Sequence, residues 1–251
     1  MKKKILLIIA AGNASRMGYL PKAASIINGK SNLTNTCEKA YDIFDKILVF
    51  SNYKNHDLYT NILEPLKEKV EVVAIRSGMG CGDAVLKAFE DLESVSPAWK
   101  YEYTICWGDT HFPDSSLLKE TANLKTNDTH LIIPVVKEEN PYVWFDHDGP
   151  DIIRAMFSKR GEKRKVGYHD QSIFRVSYDI IRDLGTMKNV YWRQDRYQYD
   201  ELIFLDVCHY LYNIGHPAKL FVTKNKTMSF NTETELNEIN GLLLSRKIKG
   251  A

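Results

Sequence analysis

Cysteine is scarce in this chain and never closely paired: Cys37, Cys81, Cys106 and Cys208 are widely separated among 251 residues, with no C-x-x-C spacing. That argues against a disulfide scaffold or a cysteine zinc cluster and fits a reducing, cytoplasmic setting. No apolar run approaches the roughly 18–20 residues that span a bilayer, so no membrane partner is expected. A surplus of one charge sign is also missing. Lys and Arg number 34 against 32 Asp and Glu, a formal net charge of +2, which gives no support for bulk binding to nucleic acid. Repeats and low-complexity linkers are absent. What remains is ordinary for a folded protein: 44% hydrophobic and 26% charged residues, over a length that fits one large domain or two small ones.

Lys2-Lys3-Lys4 before Ile5–Ala11 has the outline of a secretion signal, but the apolar run lasts only seven residues and ends in Gly12-Asn13, as a buried parallel strand does. From there strand-like and helix-like segments alternate. Strands are expected at 4–11, 47–50, 70–75, 103–107 and 130–136, with helices at 33–45, around 58–66, at 83–92 and at 115–124. Ser31 and Asn32 are the N-cap candidates of the first helix. This alternation predicts βαβ units and a mostly parallel sheet. After Pro141 the regularity breaks into short β-like pieces, an Asp148-Gly149-Pro150 turn and the basic segment Lys159–Lys165. Helical patterning returns at 178–184 and 199–214, then a strand at 219–223 and a helix at 233–246. The expectation is one α/β domain over 1–251, in which 140–200 forms a lid or acceptor-binding subregion.

The most informative segment is Ala10-Ala11-Gly12-Asn13-Ala14-Ser15-Arg16-Met17-Gly18-Tyr19-Leu20-Pro21-Lys22. A buried strand runs into a loop of small residues, whose backbone N–H groups can approach an anion closely. Arg16 adds a fork of donors and Lys22 a point charge suited to phosphate. No Gly-Lys-Ser/Thr follows, so this is not a Walker A loop.

The segment resembles the signature of the nucleotidyltransferases with a GT-A-like fold, a strand followed by Gly-x-Gly-x-x-Arg-Met/Leu and then Pro-Lys. Gly12, Arg16, Met17, Pro21 and Lys22 match, and Ala14 stands where the second glycine is usual. Asn28-Gly29-Lys30 resembles the Gly-Lys that precedes the family's next helix. Further on, Gly80-Cys81-Gly82-Asp83-Ala84 resembles the turn that reads the nucleotide base, with Cys81 in place of the common Thr. Trp107-Gly108-Asp109 is similar to the central-strand end that offers a carboxylate to Mg²⁺. Phe230-Asn231-Thr232-Glu233-Thr234-Glu235-Leu236 resembles the closing motif whose first residue helps to hold the metal.

The resemblance implies a single Rossmann-like (GT-A-like) three-layer α/β domain and a Mg²⁺-dependent transfer from CTP or another nucleoside triphosphate to a small phosphorylated acceptor. It implies catalytic roles for Arg16 and Lys22, and nucleotide contacts from Ala10, Ala11, Gly12, Asn13, Ala14, Ser15, Gly80, Cys81 and Asp83. Asp109 and Asn231 would hold the metal, which suits an ion that takes one or two protein oxygens plus phosphate. The chain as a whole resembles the cytidylyltransferases that act on phosphoglutamine in capsular phosphoramidate biosynthesis, and the amino-acid acceptor this implies needs partners for a carboxylate, for which Arg154, Lys159, Arg160 and Arg175 are candidates. It also needs partners for an ammonium, for which Glu201, Asp200 and Asp206 are candidates. The basic run 159–165 reads more readily as a solvated loop, since charge runs usually face water.

Other readings stay open in the sequence. Asp146-His147-Asp148 is a D-x-D, the metal motif of glycosyltransferases, although it lies after the fifth strand and its Asp-Gly-Pro is good turn chemistry. Ala14 and Cys81 leave room for a nucleotide-binding paralogue without catalysis. Sugar 1-phosphates and phosphocholine are alternative acceptors. His111, His209 and His216 do not have metal-site spacing. Tyr191, Trp192, Tyr197 and Tyr199, near Arg193 and Arg196, form an aromatic patch. It suits stacking on single strands, but packing on the acceptor side or in a homodimer is the expectation.

Overall fold

A computed structural model of the chain describes residues 2–12, 21–76, 78–95, 101–192, 201–230 and 232–249. The first half comprises β1 (Lys3–Ala10), β2 (Ile26–Ile27), β3 (Lys30–Ser31), α1 (Asn32–Ala40), β4 (Lys46–Asn52), α2 (His56–Leu63), β5 (Val70–Ile75), α3 (Cys81–Val95), β6 (Tyr101–Trp107), β7 (Thr110–His111) and α4 (Ser116–Asn123). The second half follows with β8 (Leu131–Glu139), β9 (Val143–Asp148), β10 (Asp151–Phe157), β11 (Val166–Asp170), β12 (Ile173–Val176), α5 (Ile180–Trp192), α6 (Val207–Asn213), β13 (Ala218–Val222), β14 (Met228–Ser229) and α7 (Glu233–Lys249).

Among the described residues one ten-stranded sheet runs in the order β5-β4-β1-β6-β12-β8-β13-β10-β9, with β11 also on β8. Strands β5, β4, β1 and β6 are mutually parallel, so their C-terminal ends share one edge. The α/β architecture expected from the alternation is present, in three layers. Leu6, Ile8 and Ala10 of β1 face a core closed by α1, α2 and α4, while Ile5, Leu7 and Ile9 face a core closed by α3, α5 and α6. Both faces of β1 are therefore buried, which explains why it is one continuous apolar run. Each fully buried Leu or Ile there contributes roughly 1.5–3 kcal/mol. Among the described residues no helix is long and apolar enough to cross a membrane.

Two parts of the fold differ from expectation. First, β12 lies antiparallel between β6 and β8, so the fifth expected strand is not the next parallel neighbour of the fourth. Ser172, in the turn from β11 into β12, takes a left-handed φ of 56°. Its carbonyl accepts the Trp107 N–H. Second, the helix expected over 199–214 begins only at Val207, after residues 201–203, which are in no helix or strand, and a short 3₁₀ turn. The backbone of Leu202 is engaged elsewhere: its N–H donates to the Met79 carbonyl at 2.7 Å and its carbonyl accepts from Gly82 N–H at 2.8 Å. A helical ladder would need those same groups.

Arg175 is a correction to the acceptor-site expectation. It sits on β12 opposite Thr104, at the middle of β6 and not at the strand's C-terminal end, and it is 1% exposed. Its guanidinium donates to the Leu124 and Tyr103 carbonyls and pairs with Glu102 at 2.5 Å. An arginine so committed ties α4 and β6 together. Removing one partner of a buried pair typically costs about 3–5 kcal/mol. Because Glu102 is partly exposed, Arg175→Met is expected to lose about 3 kcal/mol in urea unfolding. Acceptor KM should stay within about twofold of the original. A folded variant with a tenfold higher acceptor KM would return Arg175 to the site.

Candidate active site

The exits of β1, β4, β5 and β6 converge, and the crevice beyond the C-terminal ends of parallel strands is where α/β sheets place ligands. Ala10 and Ala11 leave β1 buried and Gly12 emerges exposed. Asn52, at the end of β4 and 2% exposed, holds this exit. Its amide donates to the Ala11 carbonyl at 3.2 Å and the Gly12 carbonyl at 3.4 Å, while its own oxygen accepts from Asn55 N–H. The expected contacts Asn13, Ala14, Ser15 and Arg16 lie outside the described residues. The chain is described again from Pro21, where a single 3₁₀ turn opens with Lys22.

Lys22 and Asp109 meet. The ammonium lies 3.1 Å from the Asp109 carboxylate, with the two side chains 19% and 36% exposed. The backbone on either side of Asp109 is tightly held. Gly108 N–H donates to Ile9 O at 2.9 Å. A Cβ on Gly108 would lie 2.7 Å from the Ala10 Cβ, so only glycine allows β1 and this loop to touch. Asn32, fully buried, donates to both the Gly108 and the Thr110 carbonyls and meets His111 Nδ1 at 3.0 Å. Burial, with Lys39 nearby, lowers the His111 pKa to about 4, so the ring is neutral at physiological pH.

The C-terminal motif approaches the same loop. Gln171 accepts from Thr227 N–H at 2.9 Å, and Met228 and Ser229 then pair with His111 and Thr110. Phe230 is buried against Ile27 and Ile239. Asn231 lies outside the described residues, directly after this anchored segment. Among the described residues no group of three or more His, Cys, Asp or Glu side chains is placed to hold a metal. Asp109 offers a hard, partly exposed carboxylate on a fixed loop. That fits Mg²⁺ taking most of its ligands from phosphate and water.

Gly80, Cys81 and Asp83 stand at the turn that follows β5 and opens α3. Gly80 has φ 106°, and a Cβ there would lie 2.5 Å from the Leu202 carbonyl, so this turn requires glycine. The Cys81 thiol turns inward and accepts from Phe204 N–H at 3.3 Å. Burial pushes its pKa up to about 11. Asp83, 3% exposed, accepts from Met79 N–H and pairs with Lys87 at 2.8 Å and Lys188 at 2.6 Å. Its carboxylate braces the turn against α5. Backbone groups of Gly80 and Cys81 remain the candidates there.

The remaining acceptor candidates are spread over the second half. Arg160 makes a two-pronged pair with Asp206 at 2.8 and 2.9 Å and stacks over Phe157. Lys159 lies 3.8 Å from Glu201, and Arg154 lies 3.5 Å from Asp146. Asp200, Arg193, Arg196, Tyr197 and Tyr199 lie outside the described residues, as do the side chains of Tyr191 and Trp192. The D-x-D motif ends β9, the outermost strand, and Gly149 at φ 54° turns the chain into β10. That hairpin is remote from β6. Asn32, Asn52 and Leu202 were not legible as site-building residues. The one sequence signal was Asn32 standing beside Ser31 at a helix start. Ser31 is the residue that caps, accepting from Thr34 N–H.

Residues 6–177 match the family described as the MobA-like NTP transferase domain. No curated protein matches the chain significantly by sequence. Among solved structures, the inositol-1-phosphate CTP transferase from T. maritima superposes with a TM-score of 0.72 at 15% identity, covering 97% of this chain and 96% of that one. HddC from Yersinia pseudotuberculosis, complexed with GMP-PN, gives a TM-score of 0.67 at 18% identity over 96% and 99%. At such identities the likeness is one of fold.

The Asp83 brace has a pH signature. Burial alone would raise its pKa, but hydrogen bonds from Lys188, Lys87 and Met79 outweigh this and lower it from 3.8 to about 2. A depressed carboxylate stabilises fully above its unfolded pKa and loses that contribution as pH falls through the folded value. Asp83→Asn is therefore expected to lower unfolding free energy at neutral pH. Its deficit against the original protein should shrink as pH falls from about 4 towards 2. A deficit that stays constant over that window contradicts the charge-based brace.

Proposed function

Because the chain belongs to the MobA-like NTP transferase family, and is thus a nucleotidyltransferase, we propose that it transfers the cytidylyl group of CTP to a phosphorylated small molecule, L-glutamine phosphate, giving CDP-L-glutamine and pyrophosphate. The observation that carries the siting of this chemistry is the 3.1 Å meeting of Lys22 and Asp109. It joins a cation from the loop after β1 to a carboxylate from the loop after β6. The choice of base and acceptor rests on the overall likeness of the chain to the cytidylyltransferases that act on phosphoglutamine in capsular phosphoramidate biosynthesis. A cytoplasmic setting accords with four free cysteines.

In this reading an acceptor phosphate oxygen bonds to the α-phosphorus as the bond from that phosphorus to the β-bridging oxygen breaks. The electron pair departs with pyrophosphate. The acceptor is already ionised, so no strong general base is required, and positioning with charge neutralisation supplies most of the acceleration. Lys22 is assigned to the α-phosphate and acceptor anion, and Arg16 to the β,γ-phosphates. Gly12 and the backbone around Gly80 and Cys81 receive the nucleotide. NTP transferases of this kind generally use a divalent metal, and Mg²⁺, when bound, neutralises triphosphate charge. Asp109 and Asn231 would hold it.

Pyrophosphate release is to be measured for ATP, GTP, CTP and UTP, each against phosphoglutamine, phosphocholine and several sugar 1-phosphates. CTP with phosphoglutamine is expected to give the highest turnover. A clear preference for a sugar 1-phosphate or phosphocholine would replace the acceptor, and glycosyl transfer would defeat the reading. Lys22→Ala is expected to keep its melting temperature while kcat falls about 100-fold or more, the loss typical of one charge-stabilising donor. Full turnover in that variant removes Lys22 from the mechanism.

A further inference from the structure

Asn32 stands outside the motifs that carry the family resemblance, yet its side chain makes three contacts with the metal-candidate loop. It is fully buried at the first turn of α1, where a polar side chain carries a desolvation cost unless its bonds are made. All of its capacity is directed at one target. Nδ2 donates to the Gly108 carbonyl at 3.2 Å and to the Thr110 carbonyl at 3.0 Å. These are the carbonyls on either side of Asp109. With both amide hydrogens so used, Oδ1 is the acceptor, and His111 Nδ1–H, at 3.0 Å, is the donor. Helix capping does not account for this, because Ser31 caps α1.

We propose that Asn32 is the positioning residue for the Asp109 carboxylate, holding the Gly108–Thr110 backbone so that the carboxylate meets metal and triphosphate without rearranging. The inference rests on the reading of Asp109 as a metal ligand. Among the described residues, and besides the Lys22 pair with Asp109 itself, the loop is held by β1 through Gly108 N–H, by β14 through its pairing with Thr110 and His111, and by α1 through Asn32. Only the α1 contact spans Asp109 from both sides through one side chain. A ligand held by such a brace binds without an ordering cost at the moment of coordination, and loose support of a site is a common route to lost affinity. Asn32→Asp keeps the shape but sets a carboxylate against two carbonyl oxygens. Asn32→Leu removes all three bonds at similar volume.

The test measures Mn²⁺ binding by electron paramagnetic resonance in the presence of CTP, CTP binding in EDTA by calorimetry, kcat and KM, and melting temperature. Both Asn32 variants are expected to bind CTP in EDTA within about twofold of the original protein and to bind Mn²⁺ at least about tenfold more weakly, the loss typical when a ligand's supporting partner is removed. The kinetic loss should fall mainly on kcat. Asp109→Asn is the reference. If it binds Mn²⁺ as the original does, Asp109 is not a metal ligand and the underlying reading fails. If Asp109→Asn loses Mn²⁺ while a folded Asn32→Leu does not, this inference alone is overturned. Should Asn32→Leu not fold, Asn32→Asp carries the test, since its carboxylate cannot donate to either carbonyl, and unchanged Mn²⁺ affinity there overturns it equally.

Discussion

The site depends on two loops meeting at the top of two adjacent parallel strands. Because β1 and β6 pair in register from Lys3–Tyr101 to Ile9–Trp107, the residues that leave them emerge side by side. Lys22 and Asp109 then come within 3.1 Å although 87 positions separate them in sequence. Nothing larger than glycine fits at 108, so the contact between the loops is set by van der Waals packing as much as by charge. An exposed ion pair contributes little to stability on its own. Here its significance is geometric, since it shows where opposite charges converge on one crevice.

Around that meeting point the polar groups are arranged as braces. Asn52 holds the exit of β1, Asn32 holds the loop of Asp109, and Asp83 holds the turn at the start of α3. Each is buried and bonded to backbone of a neighbouring segment, which is how a buried polar side chain avoids its desolvation cost. The backbone exchange of Leu202 with Met79 and Gly82 adds a fourth tie, linking the turn before α3 to the second half of the chain. The hydrophobic layers beneath α3, α5 and α6 on one face and α1, α2 and α4 on the other make the platform on which these braces stand.

Much of the platform was legible in the sequence, since β1, β4, β5 and β6 are short runs of apolar residues separated by amphipathic helices, and buried parallel strands leave that pattern. Local chemistry also marked Gly12, Gly80 and Asp109 as loop residues at strand or helix ends. What was not legible depends on distant pairing. Ile173–Val176 is too short to announce an antiparallel strand between β6 and β8. Arg175 reads as a candidate for an acceptor carboxylate, because nothing local reveals that Glu102 and two carbonyls lie beside it. Leu202 falls within a helix-like apolar pattern, and only its bonds to Met79 and Gly82, 120 or more positions away, keep it out of a helix. Asn32 reads as a cap because its true partners lie 76 to 79 residues downstream.

The most direct measurement is a crystal structure of the protein with CTP and Mg²⁺. The account predicts the triphosphate in the crevice above β1 and β6, Mg²⁺ at about 2.0–2.1 Å from an Asp109 carboxylate oxygen, and the Lys22 ammonium turned from Asp109 to the α-phosphate. Nucleotide bound away from both loops, with Lys22 and Asp109 still paired to each other, would contradict it.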